Sequence, residues 1–378
     1  DPGAEGALRY DIAELDLAAG RLSDAHAGYA AALACARQVL DPVAEAATLR
    51  QLAAIDAAQG RYSEAAQWLE EAGKPLQRAG LPADELAVAR ELGNLYAQLE
   101  RRADAKAAHA RAASLAEAVG NLDALVEARV QLGRAALREG QPAEARNAFA
   151  AALDAAHMGG QGDQLAILTE LGGSQLATGQ WSAAVDTFGG ALAAAREAGD
   201  GPRELLALTR LGEACVAAGE AASAVAYYEA ALPVARSVGD ADAEMAALLG
   251  LSAALSARSR VASSAEAAET ARALAQERGR YDIEGAALLR AAGARAANGQ
   301  SGQALLAYQQ ALPLLREAAD HQTAADVLLA QGDALLDMGD DEQAAASYRE
   351  SLALADALND RRRQAAALRR LGKLAEEA

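Results

Sequence analysis

The sequence predicts an all-α solenoid: helix–turn–helix repeats in one continuous array, nine over residues 1–360, followed by a single closing helix over 361–378. Three observations carry this. Apolar residues make up 52% of the chain while aromatics make up only 3%, so the apolar mass is mainly alanine and leucine. Alanine is the best helix former and has little bulk, which suits thin, closely packed helices better than one thick core. Glycines recur at a fixed period. A second set of small and aromatic residues recurs with them in helical spacing.

The glycines are Gly20, Gly60, Gly140, Gly179, Gly219, Gly299 and Gly339, at separations of 40, 80, 39, 40, 80 and 40. The two double steps place Glu100 and Ser259 at the missing glycine positions. Such a period is the signature of a repeat architecture. Seven residues before each turn lies a small residue: Ala13, Ala53, Gly93, Gly133, Gly172, Gly212, Ser252, Ala292 and Gly332. Twelve residues after it comes alanine (Ala25, Ala65, Ala105, Ala145, Ala184, Ala224, Ala304, Ala344), four further on usually an aromatic (Tyr29, Phe149, Phe188, Tyr228, Tyr308, Tyr348). Three beyond that is alanine again, from Ala32 to Ala311. Steps of four and three follow the helical period, so each repeat holds a first helix, a glycine-centred turn and a second helix. Ser23, Ser63 and Ser182 stand where the second helix needs an N-cap. Gly120, Gly199, Gly239 and Gly279 end second helices, and Asn121, Asp200 and Asp240 start the next first helices.

The small residue, alanine, aromatic and alanine at relative offsets 0, 12, 16 and 19, as in Gly212, Ala224, Tyr228 and Ala231, resemble the tetratricopeptide repeat signature. The resemblance covers essentially the whole chain and implies a right-handed superhelical solenoid. The period of 40 exceeds the family's usual 34, and the tyrosine customary three residues after the small position occurs only as Tyr96. Repeat 7 is degenerate, with Ser252, Ser264 and Ala268 at signature positions. Long versions of this kind resemble those of kinesin light chains, spindle-orientation adaptors and the sensor arms of bacterial signalling ATPases and transcription activators.

Pro75, Pro233 and Pro313 fall inside second helices, where each removes a hydrogen bond and is expected to bend the helix. Gly159, Gly160 and Gly162, with Gly172-Gly173 and Gly189-Gly190, mark residues 157–202 as a soft stretch, each helical glycine costing about 1 kcal/mol relative to alanine. Close helix packing is the alternative. The tail carries Arg361, Arg362, Arg363, Arg369, Arg370 and Lys373 against Glu376 and Glu377, and reads as a solvating cap over the last apolar face.

A net charge of −18 repels nucleic acid and anionic lipid. No run approaches the roughly 18 apolar residues of a membrane span, and no signal-like stretch opens the chain. Cys35 and Cys215 are expected as buried free thiols in a reducing, cytoplasmic compartment. The start at Asp1-Pro2 without a methionine suggests a segment of a longer or processed protein. His26, His109, His157 and His321 lack partners at metal-ligand spacing, the glycines near 160 lack the rest of a phosphate-binding loop, and no acid, base and nucleophile converge. We therefore expect neither enzyme nor cofactor nor metal. His109 holds an aromatic signature position and is expected in the core.

The first helices present a stripe beside their core stripe. It carries Arg50, Arg90, Asn94, Arg134 and Arg138 in repeats 2 to 4, and Thr169, Leu176, Leu206, Thr209, Val216, Leu249 and Leu289 in repeats 5 to 8. In the tetratricopeptide family this stripe lines the concave face, and a basic residue with Asn there resembles a carboxylate clamp. The resemblance thus implies a scaffold gripping a protein or peptide by an acidic anchor and receiving an apolar segment beyond it. Pairing of these arginines with Glu91, Glu127 or Glu139 is the competing reading. A sensory arm of a larger regulator, answering to a small molecule, is the alternative function.

Overall fold

The computed structural model describes residues 1–377, with side chains to residue 376. It is built of nineteen helices among the described residues: α1 (Pro2–Ala18), α2 (Leu22–Val39), α3 (Pro42–Ala58), α4 (Tyr62–Ala79), α5 (Pro82–Gln98), α6 (Arg102–Val119), α7 (Leu122–Arg138), α8 (Pro142–His157) and α9 (Gln164–Ala177), then α10 (Trp181–Ala198), α11 (Gly201–Ala217), α12 (Ala221–Val238), α13 (Ala241–Ala257), α14 (Val261–Arg278), α15 (Tyr281–Ala297), α16 (Ser301–Glu317), α17 (His321–Asp337), α18 (Asp341–Ala357) and α19 (Arg361–Glu377). Odd-numbered helices are the first helices of the repeats and even-numbered ones the second, so the fold is an α-solenoid. The chain divides into two compact units, one ending at Gln180 and one beginning at Trp181. The cut falls within the fifth repeat, whose first helix closes one unit and whose second helix opens the other.

The turns form as the glycine period demands. Gly20 adopts φ +76° and Gly60 φ +77°, the left-handed conformation that closes a helix and re-aims the chain. Glu100 (φ +56°) and Ser259 (φ +57°) take the same conformation at the two positions where the period lacks glycine. Leu40 (φ 57°) does so at the end of α2, where α4 and α6 end on Gly80 and Gly120. Most first helices are capped by side chains: Asp41 accepts from the Val43 and Ala44 amides, Asn121 from Ala124, and Asp200 and Asp240 from Arg203 and Ala243, while α5 and α15 have no such cap. The serine caps expected on second helices are not there. Helices α2 and α4 are entered through Arg21 and Arg61, without a side-chain cap, and Ser23 and Ser63 already lie inside them. The capping position is the residue directly after the turn glycine, held here by Arg21 and Arg61; where it is an aspartate, Asp340 after Gly339, its side chain does cap the helix, accepting from the Gln343 amide. Ser182 likewise lies within α10.

Several second helices aim one large side chain at the small residue of their repeat. Tyr29, Phe149, Phe188 and Tyr348 are 0% exposed. A Cβ added at Gly133 would sit 2.7 Å from the Phe149 ring, and one at Gly332 would sit 2.4 Å from Tyr348 Cε1. His109 fills the same slot against Gly93 and is 3% exposed, so the histidine is a core residue. Burial and the nearby Arg138 charge lower its pKa to about 4. Degenerate repeat 7 replaces the apolar contact by a reciprocal pair. Ser252 Oγ donates to the Ser264 carbonyl and Ser264 Oγ to the Ser252 carbonyl, each at 2.8 Å. Both serines are buried and fully satisfied, as a polar core contact requires. Helices α4, α12 and α16 continue through Pro75, Pro233 and Pro313. Cys35 and Cys215 are free and buried.

Candidate functional site

In the first compact unit, successive first helices are tied together by polar rungs on the predicted stripe. Arg50 on α3 donates from Nε to both Glu91 oxygens on α5, at 3.1 and 3.0 Å. Arg90 on α5 pairs with Glu127 on α7, and Arg134 on α7 with Glu170 on α9 at 3.1 Å. Gln51 on α3 donates to Glu14 on α1 at 2.8 Å, and Glu14 also receives the Tyr29 hydroxyl at 2.7 Å. The three arginine pairs are roughly 40% exposed on the arginine side. Such pairs contribute about 0–1 kcal/mol, so an incoming carboxylate exchanges for Glu at little cost. Glu139, the third expected partner, is instead held by Lys106 at 2.7 Å.

The structure gathers some of the predicted residues and separates others. Arg50 and exposed Asn94 line one cavity of about 360 Å³ with Tyr10, Gln51, Glu91 and Gln98 over a floor that includes Ala54, Leu69 and Leu95. Arg138 borders a different cavity, of about 300 Å³, with Glu100 and Arg102. Its carbonyl accepts from Arg102 Nη1 at 2.9 Å. Thr169 donates its hydroxyl to the Leu165 carbonyl at 2.8 Å, so it offers the face its methyl rather than a donor. Leu176, on the same helix, is half-buried.

In the second compact unit Thr209 behaves as Thr169 does, its hydroxyl donating to Leu205 and Leu206 of its own helix. Leu206 and Val216 are 40% and 42% exposed, while Leu249 and Leu289 are half-buried. These positions on α11, α13 and α15 are thus apolar, with the charged Arg210, Glu213 and Arg290 beside them. At the far end, Arg370 on α19 grips Asp333 on α17 with two bonds of 2.7 Å, and Asp333 also receives the Tyr348 hydroxyl at 2.8 Å. Arg363 grips Asp326 at 2.9 and 2.8 Å. The tail's arginines therefore clamp the closing helix to α17 as well as solvating it, through two bidentate pairs. The Glu377 side chain and Ala378 lie outside the described residues.

Sequence reading missed these carboxylates. Their signal is positional: Glu14 and Asp333 each follow the small residue of their repeat directly, and Gln51 and Arg370 each stand two residues before the next one.

The tetratricopeptide repeat family matches residues 163–237 and 327–362. These segments lie in the middle and near the end of an array whose turns and small–aromatic contacts run on either side in the same register. The chain contains tetratricopeptide repeats. Its fold resembles that of a tetratricopeptide repeat protein from Parabacteroides merdae at 14% identity, over 75% of this chain and 97% of that one, with a TM-score of 0.55. It also resembles aspartyl phosphate phosphatase F from Bacillus subtilis at 13% identity, over 92% and 93%, with a TM-score of 0.54. A signal transduction ATPase with a tetratricopeptide repeat sensor from Pyrococcus horikoshii aligns at 15% identity over 96% of this chain, with a TM-score of 0.46, and the chain spans 50% of its length. No curated protein matches the sequence. Within this repeat protein no group of three His, Cys, Asp or Glu residues is placed to hold a metal among the described residues, and no described helix is long and apolar enough to cross a membrane.

Proposed function

We propose that this repeat protein is a binding scaffold that holds a peptide or protein segment against its first helices and performs no chemistry on it. The cavity holding Arg50 and Asn94 is the observation that carries the reading. It combines an apolar floor with a cation, an exposed amide and a carboxylate at its rim, the composition of a recognition pocket. Arg50, Arg90 and Arg134 supply cations whose Glu partners are half-exposed and exchangeable, which favours a segment with an acidic anchor. Arg138 and the Thr169–Leu176 stretch extend that face within the first unit; Thr209 and Val216 offer an apolar counterpart in the second. The charge of −18 disfavours nucleic acid and anionic membranes as partners.

The test is selection of binders from a random peptide display library on the full chain. Affinities of the selected peptides are then measured for wild type and for R50E, R90E and R134E, with circular dichroism to verify folding. The expected result is a loss of about tenfold or more in at least one variant, the effect of one charge-assisted contact. Selected peptides that bind all three folded variants as they bind wild type overturn the assignment.

A second reading is a regulatory arm of a larger protein that answers to a small molecule. The glycine-rich connection from Gly159 to Gly162, where the repeat period shortens, supports it. A metabolite screen by thermal shift that finds no stabilising compound counts against it.

A further inference from the structure

Another cavity of the first compact unit, of about 310 Å³, lies among α1, α2 and α3. Its walls are small or aliphatic: Gly3 and Gly6 on α1, Ala32 and Ala36 on α2, and Ala44 on α3, with Val39 at the end of α2. Gly6 lets α1 lie close against α2, since an added Cβ there would be 2.9 Å from Cys35 Cβ. Tyr10 is the one aromatic lining the space, and its hydroxyl accepts from Gln51 at 3.2 Å. The volume is at the lower end of ligand pockets and takes a small molecule whole.

The charged side chains lining this cavity are both carboxylates, Asp11 and Asp41, and no described cation lines it. Asp41 uses one oxygen, Oδ1, to cap the Val43 and Ala44 amides at 3.0 Å, and its Oδ2 has no partner among the described residues. Asp11 is exposed and makes no hydrogen bond or ion pair among the described residues. Thr48, which also lines the cavity, gives its hydroxyl to the Ala44 carbonyl at 2.7 Å. The start of α3, which would otherwise draw an anion, has its amides taken, Val43 and Ala44 by the Asp41 side chain and Glu45 by the Asp41 carbonyl. Next to the lining residues, Val43 is 44% exposed and Leu40 is 85% exposed. Helices α4, α6, α12 and α14 end on glycine where α2 ends on Leu40, so a large aliphatic residue stands uncovered in a left-handed turn that is costly for it. An apolar cavity with uncovered aliphatic residues beside it and two unpaired carboxylates complements an apolar molecule with a cationic head.

We propose that this cavity binds a small organic amine in its ammonium form, the ammonium paired to Asp11 and to the open oxygen of Asp41 and the aryl or alkyl body lying against the glycine and alanine walls. The two carboxylates select against acids, and walls without bulky side chains leave room for the body. The inference rests on the small-molecule reading and gives it a ligand class. It leaves the cavity of Arg50 and Asn94, which shares Tyr10 and Ala47 with this one, to the scaffold reading.

The experiment uses the full chain at neutral pH and three probes of one shape, 4-phenylbutylamine, 4-phenylbutanol and 4-phenylbutanoate, with binding followed by ligand-observed NMR titration. The amine is expected to bind about tenfold more tightly than the alcohol, the worth of one charge-assisted contact, and the acid no more tightly than the alcohol. D11N/D41N removes the preference for the amine, while asparagine at position 41 keeps α3 capped. A44L puts a larger side chain into the cavity and weakens amine and alcohol alike by about tenfold. Attraction to the charge of −18 elsewhere on the surface would leave both unchanged in A44L. Circular dichroism verifies the fold of both variants, and if A44L does not fold, D11N/D41N decides. Equal binding of amine and alcohol, no binding of the amine, a preference that survives in folded D11N/D41N, or a folded A44L that binds the amine as wild type does overturns the proposal. If the metabolite screen still finds a stabilising compound in that event, this site fails and the small-molecule reading stands.

Discussion

Replacing His109 by phenylalanine should make the protein resistant to mild acid. The histidine occupies a slot that Phe149 and Phe188 fill in other repeats, it is 3% exposed, and its ring rests on Gly93, where an added Cβ would come within 2.6 Å of it. Desolvation is the main cause of its lowered pKa, about 4 against an ordinary 6.5, and the Arg138 charge adds to it. The sign follows from which state binds the proton. Below pH 6.5 the unfolded chain takes one up while the folded chain, until about pH 4, does not, so folding weakens as pH falls. Linkage puts the loss at about 2 kcal/mol at pH 5 and about 3 kcal/mol at pH 4. Urea midpoints followed by circular dichroism at pH 7 and pH 5, for wild type and H109F, isolate the effect, since the carboxylates titrate alike in both. Wild type should lose about 2 kcal/mol more than H109F between these pH values. Equal losses in the two proteins refute the reasoning, because a histidine already charged or freely hydrated in the fold contributes no such difference.

Further outcomes follow from packing and backbone geometry. Gly332→Ala should destabilise the α17–α18 pair by about 1–3 kcal/mol, because Tyr348 is fully buried, pinned at its hydroxyl by Asp333, and unable to yield to a Cβ at 2.4 Å; hydrogen exchange that leaves these helices as protected as in wild type contradicts this. Leu40→Gly should raise the melting temperature, since it relieves a left-handed φ of 57° at about 1 kcal/mol and removes a leucine that is 85% exposed. Asp333→Ala should loosen α19, detaching Arg370 and leaving the Tyr348 hydroxyl unpaired at a cost of about 1–3 kcal/mol, visible as faster exchange confined to α17–α19.

Much of the fold was legible because a solenoid repeats its local rules. The left-handed turn at Glu100 was readable as a gap in a glycine period, and the burial of His109 as an aromatic position held by a histidine. The binding face was less legible. Arg50 and Asn94 were placed on one stripe by helical spacing, and the structure gathers them into one cavity, but the same spacing put Arg138 beside Arg134, and it borders another. The serine caps failed for a local reason, since Arg21 holds the capping position and Ser23 already lies inside the helix.

The sequence by itself determined the helix pairs, their turns and the slot that each aromatic fills, because these depend on residues within about 20 positions of one another and on the 3.6-residue period. Only the tertiary structure decided which charges are committed and which stay open. Arg50 meets Glu91 on the next first helix and Arg370 meets Asp333 on the one before, whereas Arg290, in the register of Arg370, makes no hydrogen bond or ion pair among the described residues. The physical reason is that a rung joins neighbouring first helices some 40 residues apart. Its partner is set by the stagger between two packed helices, and one residue of stagger exchanges a carboxylate for an alanine.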